Sequence, residues 1–259
     1  MKSHATAELL EDTIAAAAHA GQAILEVYAS DFAVRGKDDE SPVTEADERA
    51  EALILAELAR FSPGVPVISE EAASRGQVPA AGERFWLVDP LDGTKEFIAR
   101  NGEFTVNIAL VEQGLPVLGV VLAPALQRLY AGRIGDDGAE AFVAEGSAAR
   151  RPLRCRAAPS AGLTVVASRS HGDAAALDAF LVGKPVAETV AIGSSLKLCL
   201  LAAGQADLYP RLGRTMEWDI AAGHAVLRAA GGHVRTLAGD ELRYGKPGLD
   251  NPHFVAATV

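Results

Sequence analysis

Residues 85–97 read FWLVDPLDGTKEF. Four apolar residues begin a buried strand and run directly into Asp89 and Asp92, with only Pro90 and Leu91 between them. Two carboxylates this close repel each other and resist burial unless positive charge or water lies between them. Gly93 lets the backbone turn sharply and approach a ligand, and Thr94 adds a hydroxyl. A buried strand that delivers two acids, a glycine and a hydroxyl to one turn has few purely structural uses. The Asp-x-x-Asp spacing also places the Leu91 carbonyl between the carboxylates, a third hard oxygen from the same turn.

Outward from that turn, the chain reads as alternating helices and strands. Leu10, Ile14, Ala17, Gly21, Ile24 and Tyr28 share one helical face. TEADERAEALILAELARF, from Thr44, opens with Thr44 and Asp47 in capping-box spacing. Strands are expected at 65–69, 85–88, 105–111 and 117–123, followed by a hairpin whose turn lies near Asp136, Asp137 and Gly138. The basic, proline-containing segment RRPLRCRAAPSAG marks a boundary near residue 150. It separates an N-terminal α+β domain, 1–150, from a C-terminal α/β domain, 151–259. Beyond it a strand over TVVAS, a helix over DAAALDAFL and a strand over VAETVAI alternate. SSLKLCLLAAG is expected as a helix capped by Ser194 or Ser195, ADLYP as a strand, and EWDIAAGHAVLRAAGG as a helix closed by Gly231 and Gly232. The fold class is therefore mixed α/β and α+β.

Composition narrows the function. The 259 residues are 49% hydrophobic with 5% aromatic, enough for an aliphatic core, and the net charge is −10. No basic run is present, which argues against a nucleic-acid polymer as partner. It leaves room for a small anionic ligand whose contact a cation mediates. Cys155 and Cys199 stand apart from any metal-type cluster and point to a reducing compartment. MKSHATAELLEDT has no apolar signal core, and LPVLGVVLAPAL, the most apolar stretch, is too short to span a bilayer. A cytoplasmic protein without a transmembrane segment is the expectation. Oligomeric state leaves no readable trace.

Further acids sit where elements begin or end: Glu70 and Glu71 after VPVIS, Asp47 in the first turn of the second helix, and Asp219 in the first turn of a later one. Taken singly, Asp47 reads as a cap, Glu70 and Glu71 as a solvated pair, and Asp219 as a complement to the helix dipole. Alongside the 89–94 turn they read as an oxygen-rich site suited to Mg²⁺ rather than zinc. Two such ions, about 3.5–4 Å apart in typical sites, clamp a phosphate ester and activate a water for in-line attack. Thr94 would hold that water and pass its proton toward Asp47.

LVDPLDGTKEF, the upstream SPVTEAD and SEE, and the downstream WDIAAGHAVLRAAGG resemble the inositol monophosphatase-like superfamily of Mg²⁺-dependent, lithium-sensitive phosphatases. DGTKEF, RNGEFTVNIAL, SRSH and GSSLKLCLLAAGQADLYPR are most similar to its 3′(2′),5′-bisphosphate nucleotidase branch, which serves bacterial sulfate assimilation. The resemblance implies a layered α/β/α/β/α fold with the site where its two parts join. It implies that Glu70, Asp89 and the Leu91 carbonyl hold one Mg²⁺ and that Asp89, Asp92 and Asp219 hold a second. A third, weaker ion would use Glu70 and, through water, Glu71. Asp47 and Thr94 would activate the water, and Gly93 and Thr94 would meet the phosphate through backbone N–H groups. His171, Ser194, Lys197 and Arg211 would line the nucleoside and second-phosphate side. The implied substrate is a small nucleotide bisphosphate, 3′-phosphoadenosine 5′-phosphate, with its sulfated analogue. Peripheral association with the cytoplasmic face of the inner membrane would come from resemblance alone, since no basic amphipathic segment supports it. Two residues depart from the pattern: Arg214 stands where proline is common, and Ile220 follows Asp219 where threonine is common.

Rival readings differ in testable ways. Another phosphomonoesterase of the same superfamily would act on inositol or sugar phosphates. An aspartyl-phosphate phosphatase needs its acid two residues after the nucleophile, whereas Asp92 is three after Asp89. A nucleotide-sensing module would lack a metal ligand, and none is missing. A glycosidase leaves the glycine-threonine turn unexplained.

Overall fold

The computed structural model describes residues 6–36, 42–168 and 174–258. Among these, the chain opens with α1 (Thr6–Tyr28), a short antiparallel pair β1 (Val34–Gly36) and β2 (Pro42–Thr44), and α2 (Glu45–Phe61). Next come β3 (Val67–Ser69), α3 (Glu70–Ser74), β4 (Arg84–Asp92), α4 (Thr94–Ile98), β5 (Thr105–Glu112) and β6 (Leu115–Ala123). The hairpin β7 (Arg128–Gly135) and β8 (Gly138–Glu145) and the short β9 (Arg151–Pro152) complete a seven-stranded sheet in chain order from β3 to β9. Its β3–β4 pair is parallel and the remaining pairs are antiparallel.

The second half supplies β10 (Leu163–Ser168), α5 (Ala174–Leu181), β11 (Val186–Ile192), α6 (Leu196–Ala202), β12 (Leu208–Arg211), α7 (Glu217–Ala229), β13 (His233–Thr236) and β14 (Phe254–Ala257). These strands form a five-stranded sheet ordered β11-β10-β12-β14-β13. Parallel pairs flank β10, and antiparallel pairs flank β14. The larger sheet ends with β9 at Arg151–Pro152, and the smaller begins with β10 at Leu163.

The layering follows from where apolar surface goes. Leu10 and Ile24 of α1 and Ile54 and Leu58 of α2 pack with Trp86, Ile108 and Leu118 on one face of the larger sheet. On the other face Phe85, Val121 and Tyr130 pack with Val226 and Leu227 of α7 and with Leu198 and Leu201 of α6. The same cluster includes Val166, Tyr209 and Phe254 of the smaller sheet, so α6 and α7 lie between the sheets. The order is thus helix, sheet, helix, sheet, with α5 the solvent-exposed crossover between β10 and β11. Burial on both faces explains why β4 and β5 read as nearly unbroken apolar runs rather than alternating ones. At Gly119 of β6, a Cβ would collide with the backbone of Ala222, so α7 lies closer to the sheet than a larger residue permits.

Two expectations change. VPVIS does not simply end in a loop: Ser69 leads into the one-turn helix α3, with Glu70 and Glu71 in its first turn. The cap expected for α6 is also not made. Ser195 occupies the cap position without a capping bond, because its hydroxyl donates instead to the Asp219 carbonyl at 2.6 Å. Among the described residues no helix is long and apolar enough to cross a membrane, and both cysteines are free.

Candidate active site

Residues three apart on a regular strand face opposite sides of a sheet. Asp89 pairs with Asn107 and Asp92 with Thr105, so β4 advances three residues where β5 advances two. That extra residue is a β-bulge, which turns Asp89 and Asp92 toward the same cavity. Pro90 fits there because a bulge leaves a residue out of the hydrogen-bond ladder. The Leu91 N–H donates back to Asp89 Oδ1 at 3.1 Å, tightening the turn. Gly93 follows at φ 91°, a left-handed conformation in which a side chain is strained; a Cβ would also lie 3.2 Å from the Glu103 carbonyl.

Thr94 begins α4, and its Oγ1 lies 3.3 Å from Asp47 Oδ1 and 3.4 Å from the Leu91 carbonyl oxygen. Asp47 is buried at the start of α2, where its Oδ2 accepts both the Thr44 N–H and the Thr44 hydroxyl at 2.8 Å. It therefore completes the capping box on Thr44, the helix cap, and partners Thr94 at once, one oxygen for each task.

Glu70 lines the same cavity beside Asp89. Glu71 is buried and does not line it. Asp219, third in α7, accepts the Met216 N–H at 2.9 Å and completes the acidic half. Burial, then the charges of Glu70, Asp92 and Asp219, holds the Asp89 carboxyl well above the usual carboxylate range. Burial, with Asp92 and Glu70 beside it, pushes Asp219 up to about 8. Asp92 is also raised by burial, but Lys197, Asn107 and Ser195 pull it back toward the ionised form.

The same cavity, of about 1060 Å³, is also lined by basic side chains, near enough to act on the acids. Lys197 of α6 is buried, donates to the Ser194 carbonyl at 2.5 Å, and lies 5.6 Å from the centre of the Tyr209 ring. Burial lowers its amine to about 8 against the pull of Asp92. Arg211, at the end of β12, donates to the Arg214 carbonyl at 2.8 Å. Ser194 adopts φ 47°, and its buried hydroxyl has no partner among the described residues. The structure thus gathers Glu70, Asp89, Leu91, Asp92, Gly93, Thr94, Ser194, Lys197, Arg211 and Asp219 around one cavity, with Asp47 behind Thr94. His171 lies outside the described residues.

Sequence reasoning missed the residues behind this lining. Asn107 on β5 donates to Asp92 Oδ2 at 3.3 Å and to Ser195 Oγ at 2.9 Å. Its signal was a lone amide inside the apolar run TVNIALV. Glu51 of α2 is buried and accepts the Ser69 hydroxyl at 2.5 Å and the Ala72 N–H at 2.9 Å, pinning α3 and with it Glu70.

The donor chemistry fits a hard divalent cation. The ligands on offer are carboxylate and carbonyl oxygens, and burial together with mutual repulsion raises the acids. Among the described residues no group of three Asp, Glu, His or Cys side chains is gathered closely enough to hold a metal ion as it stands. The fit therefore rests on donor type, shared cavity and electrostatic coupling.

The model of the inositol monophosphatase family matches residues 6–257. A Salmonella typhimurium protein named 3′(2′),5′-bisphosphate nucleotidase CysQ is 48% identical over 91% of this chain and 94% of its own length. Its Buchnera aphidicola counterpart is 40% identical over 92% of this chain and 88% of its own length. The crystal structure of CysQ from Bacteroides thetaiotaomicron superposes with a TM-score of 0.79 at 38% identity, covering 97% of both chains. Mycobacterium tuberculosis SuhB gives 0.73 at 27% identity, covering 99% of this chain and 93% of that one. With its layered fold, its acidic turn and these matches over nearly its whole length, the chain belongs to the inositol monophosphatase family.

Proposed function

We propose that this protein is a Mg²⁺-dependent 3′(2′),5′-bisphosphate nucleotidase of the cytoplasm. It would convert 3′-phosphoadenosine 5′-phosphate and water to AMP and phosphate, and 3′-phosphoadenylyl sulfate to adenylyl sulfate, in sulfur assimilation and nucleotide recycling. The observation that carries the reading is one cavity lined by carboxylates, by Thr94 with Asp47 behind it, and by the buried cations Lys197 and Arg211. That combination suits a substrate with two phosphates: acids and hydroxyl for cleavage at one, fixed positive charge for recognition of the second. The names borne by the relatives at 48% and 40% identity support the same activity.

Glu70, Asp89 and the Leu91 carbonyl would hold one Mg²⁺; Asp89, Asp92 and Asp219 a second; Glu70 a weaker third, without Glu71, which does not reach the cavity. When bound, the ions supply Lewis acidity to the phosphate oxygens and lower the pKa of water. Thr94 Oγ1 orients the attacking water and relays its proton to Asp47 Oδ1, while Asp47 Oδ2 stays fixed by Thr44. Backbone N–H groups at Gly93 and Thr94 steady the phosphate as the bond from phosphorus to the 3′ oxygen breaks. Lys197 and Arg211 hold the other phosphate, with Ser194 toward the nucleoside.

The test is phosphate release from 3′-phosphoadenosine 5′-phosphate and from inositol 1-phosphate, each with Mg²⁺, with EDTA and with lithium. Strong preference for the nucleotide, abolished by EDTA and by Asp89→Asn, is the expected result. Preference for inositol 1-phosphate would keep the acidic site and overturn the substrate. Release from neither substrate that depends on metal would overturn the reading of Asp89 and Asp92.

A further inference from the structure

Glu217 precedes Asp219 by two residues, is fully buried, and has no part in the chemistry above. Its carboxylate faces the loop after β13. Oε2 accepts the Gly245 N–H at 2.7 Å, and Oε1 accepts the Lys246 N–H at 2.9 Å and the Lys246 ammonium at 2.6 Å. Lys246 Nζ donates further to the Arg243 carbonyl at 2.6 Å and to Asn251 Oδ1 at 3.1 Å, so its donors are already engaged within the protein. Asn251 closes the circuit: its Nδ2 donates to the Met216 carbonyl at 2.8 Å and its backbone N–H to the Thr215 carbonyl at 2.8 Å. The Glu217 N–H returns a bond to the Leu249 carbonyl at 2.8 Å. The loop is thereby zipped along the segment that leads into α7.

Two consequences reach the site. Met216 is gripped by Asn251 at its carbonyl, and its own N–H fixes Asp219 Oδ2 at 2.9 Å. The loop residues Gly245, Lys246, Pro247, Gly248 and Leu249 also line the cavity, so the clamp sets the position of a wall and of a carboxylate together. We infer that Glu217 is a positioning residue that, through Lys246 and Asn251, holds Asp219 in its metal-binding attitude and the 245–249 loop against the substrate cavity. The inference rests on the reading of Asp219 as a metal ligand. Residues that orient a ligand from behind typically govern metal affinity by about 10–100-fold, which a residue serving only the fold would not.

The experiment is calorimetric titration of Mg²⁺ into the metal-free full chain without substrate, with thermal melting recorded in parallel. Glu217→Gln should weaken Mg²⁺ binding about tenfold or more, and Asn251→Ala should weaken it in the same direction. The control is Asp207→Asn, which breaks the Arg156–Asp207 pair away from the cavity lining; it should lower the melting temperature and leave Mg²⁺ affinity unchanged. Glu217→Gln and Asn251→Ala chains that melt earlier yet bind Mg²⁺ like the wild type would overturn the inference. Should Glu217→Gln not fold, Asn251→Ala decides by the same criterion. Wild-type protein that binds Mg²⁺ but releases no phosphate from the nucleotide would remove the proposed substrate and leave the positioning role to the titration.

Discussion

In the acidic half of the site, Asp89, Leu91, Asp92 and Thr94 come from a single stretch, and a bulge in β4 makes them converge. In the basic half, Lys197 and Arg211 come from α6 and β12 and meet only through the packing of α6 against the smaller sheet. The charges are also handled differently. The backbone forces the carboxylates together, and the acids that result are raised toward their protonated forms. Lys197 and Arg211 instead each donate to a main-chain carbonyl, of Ser194 and of Arg214, while Asp92 attracts Lys197 through space. A rigid, repelling cluster suits a divalent cation and chemistry; buried cations resting on carbonyls suit recognition of a second anion.

If the acidic half does the chemistry, removing its hydroxyl should do the most damage. Thr94→Ala deletes the group between Asp47 and the Leu91 carbonyl while leaving the Thr44–Asp47 cap intact. The expected loss in kcat is about 10²–10⁴-fold, the usual size of a general acid–base effect, with little change in KM. Steady-state kinetics on the nucleotide would show it. A loss confined to KM would move Thr94 from catalysis to binding.

The same contrast explains what could be read before the fold was known. The acidic half is local, so FWLVDPLDGT announced it, as Thr44 and Asp47 announced the start of α2. Even so, the one-residue bulge was not legible, because nothing in Pro90 or Leu91 states how β5 pairs with the strand. Residues acting across sequence distance left weaker signals still. Ser195 looked like a cap, yet its hydroxyl serves Asp219, a residue on another helix. Glu217 drew no reading, because its partners Gly245 and Lys246 lie in a loop with no pattern of its own. The strands β13 and β14 went unread, since HVRT and FVAA are short and depend on each other and on β12 for pairing.

A cut in the basic half should be smaller and selective. Lys197→Ala removes a buried cation, and a hydrogen bond to a charged group is worth about 1.5–3 kcal/mol. That corresponds to a loss of roughly 10–10²-fold, expected in kcat/KM for the bisphosphate beyond any loss on a simple phosphate monoester. Comparing the two substrates isolates the effect. Equal losses would show that Lys197 works mainly through its attraction to Asp92 and that recognition lies elsewhere.

The smallest effect concerns stability, and its sign separates the two halves. An ordinary aspartate titrates near about 3.9, whereas Asp219 is pushed up to about 8 and Asp89 is raised well above its ordinary value. Between those limits the metal-free native state binds more protons than the unfolded chain, so stability falls as pH rises through that window. Other groups bound the usable range. His224, buried and held well below its ordinary value, costs stability as pH falls below about 6.5. Lys197, lowered to about 8, acts with the opposite slope to the carboxylates above that pH. Thermal melts in EDTA should therefore fall between about pH 6.5 and 8, and saturating Mg²⁺ should flatten the trend by replacing protons among the carboxylates. Asp219→Asn should flatten it without metal. A melting temperature that stays level or rises over that range in EDTA would mean that the acids at the end of β4 and the start of α7 do not share one electrostatic site.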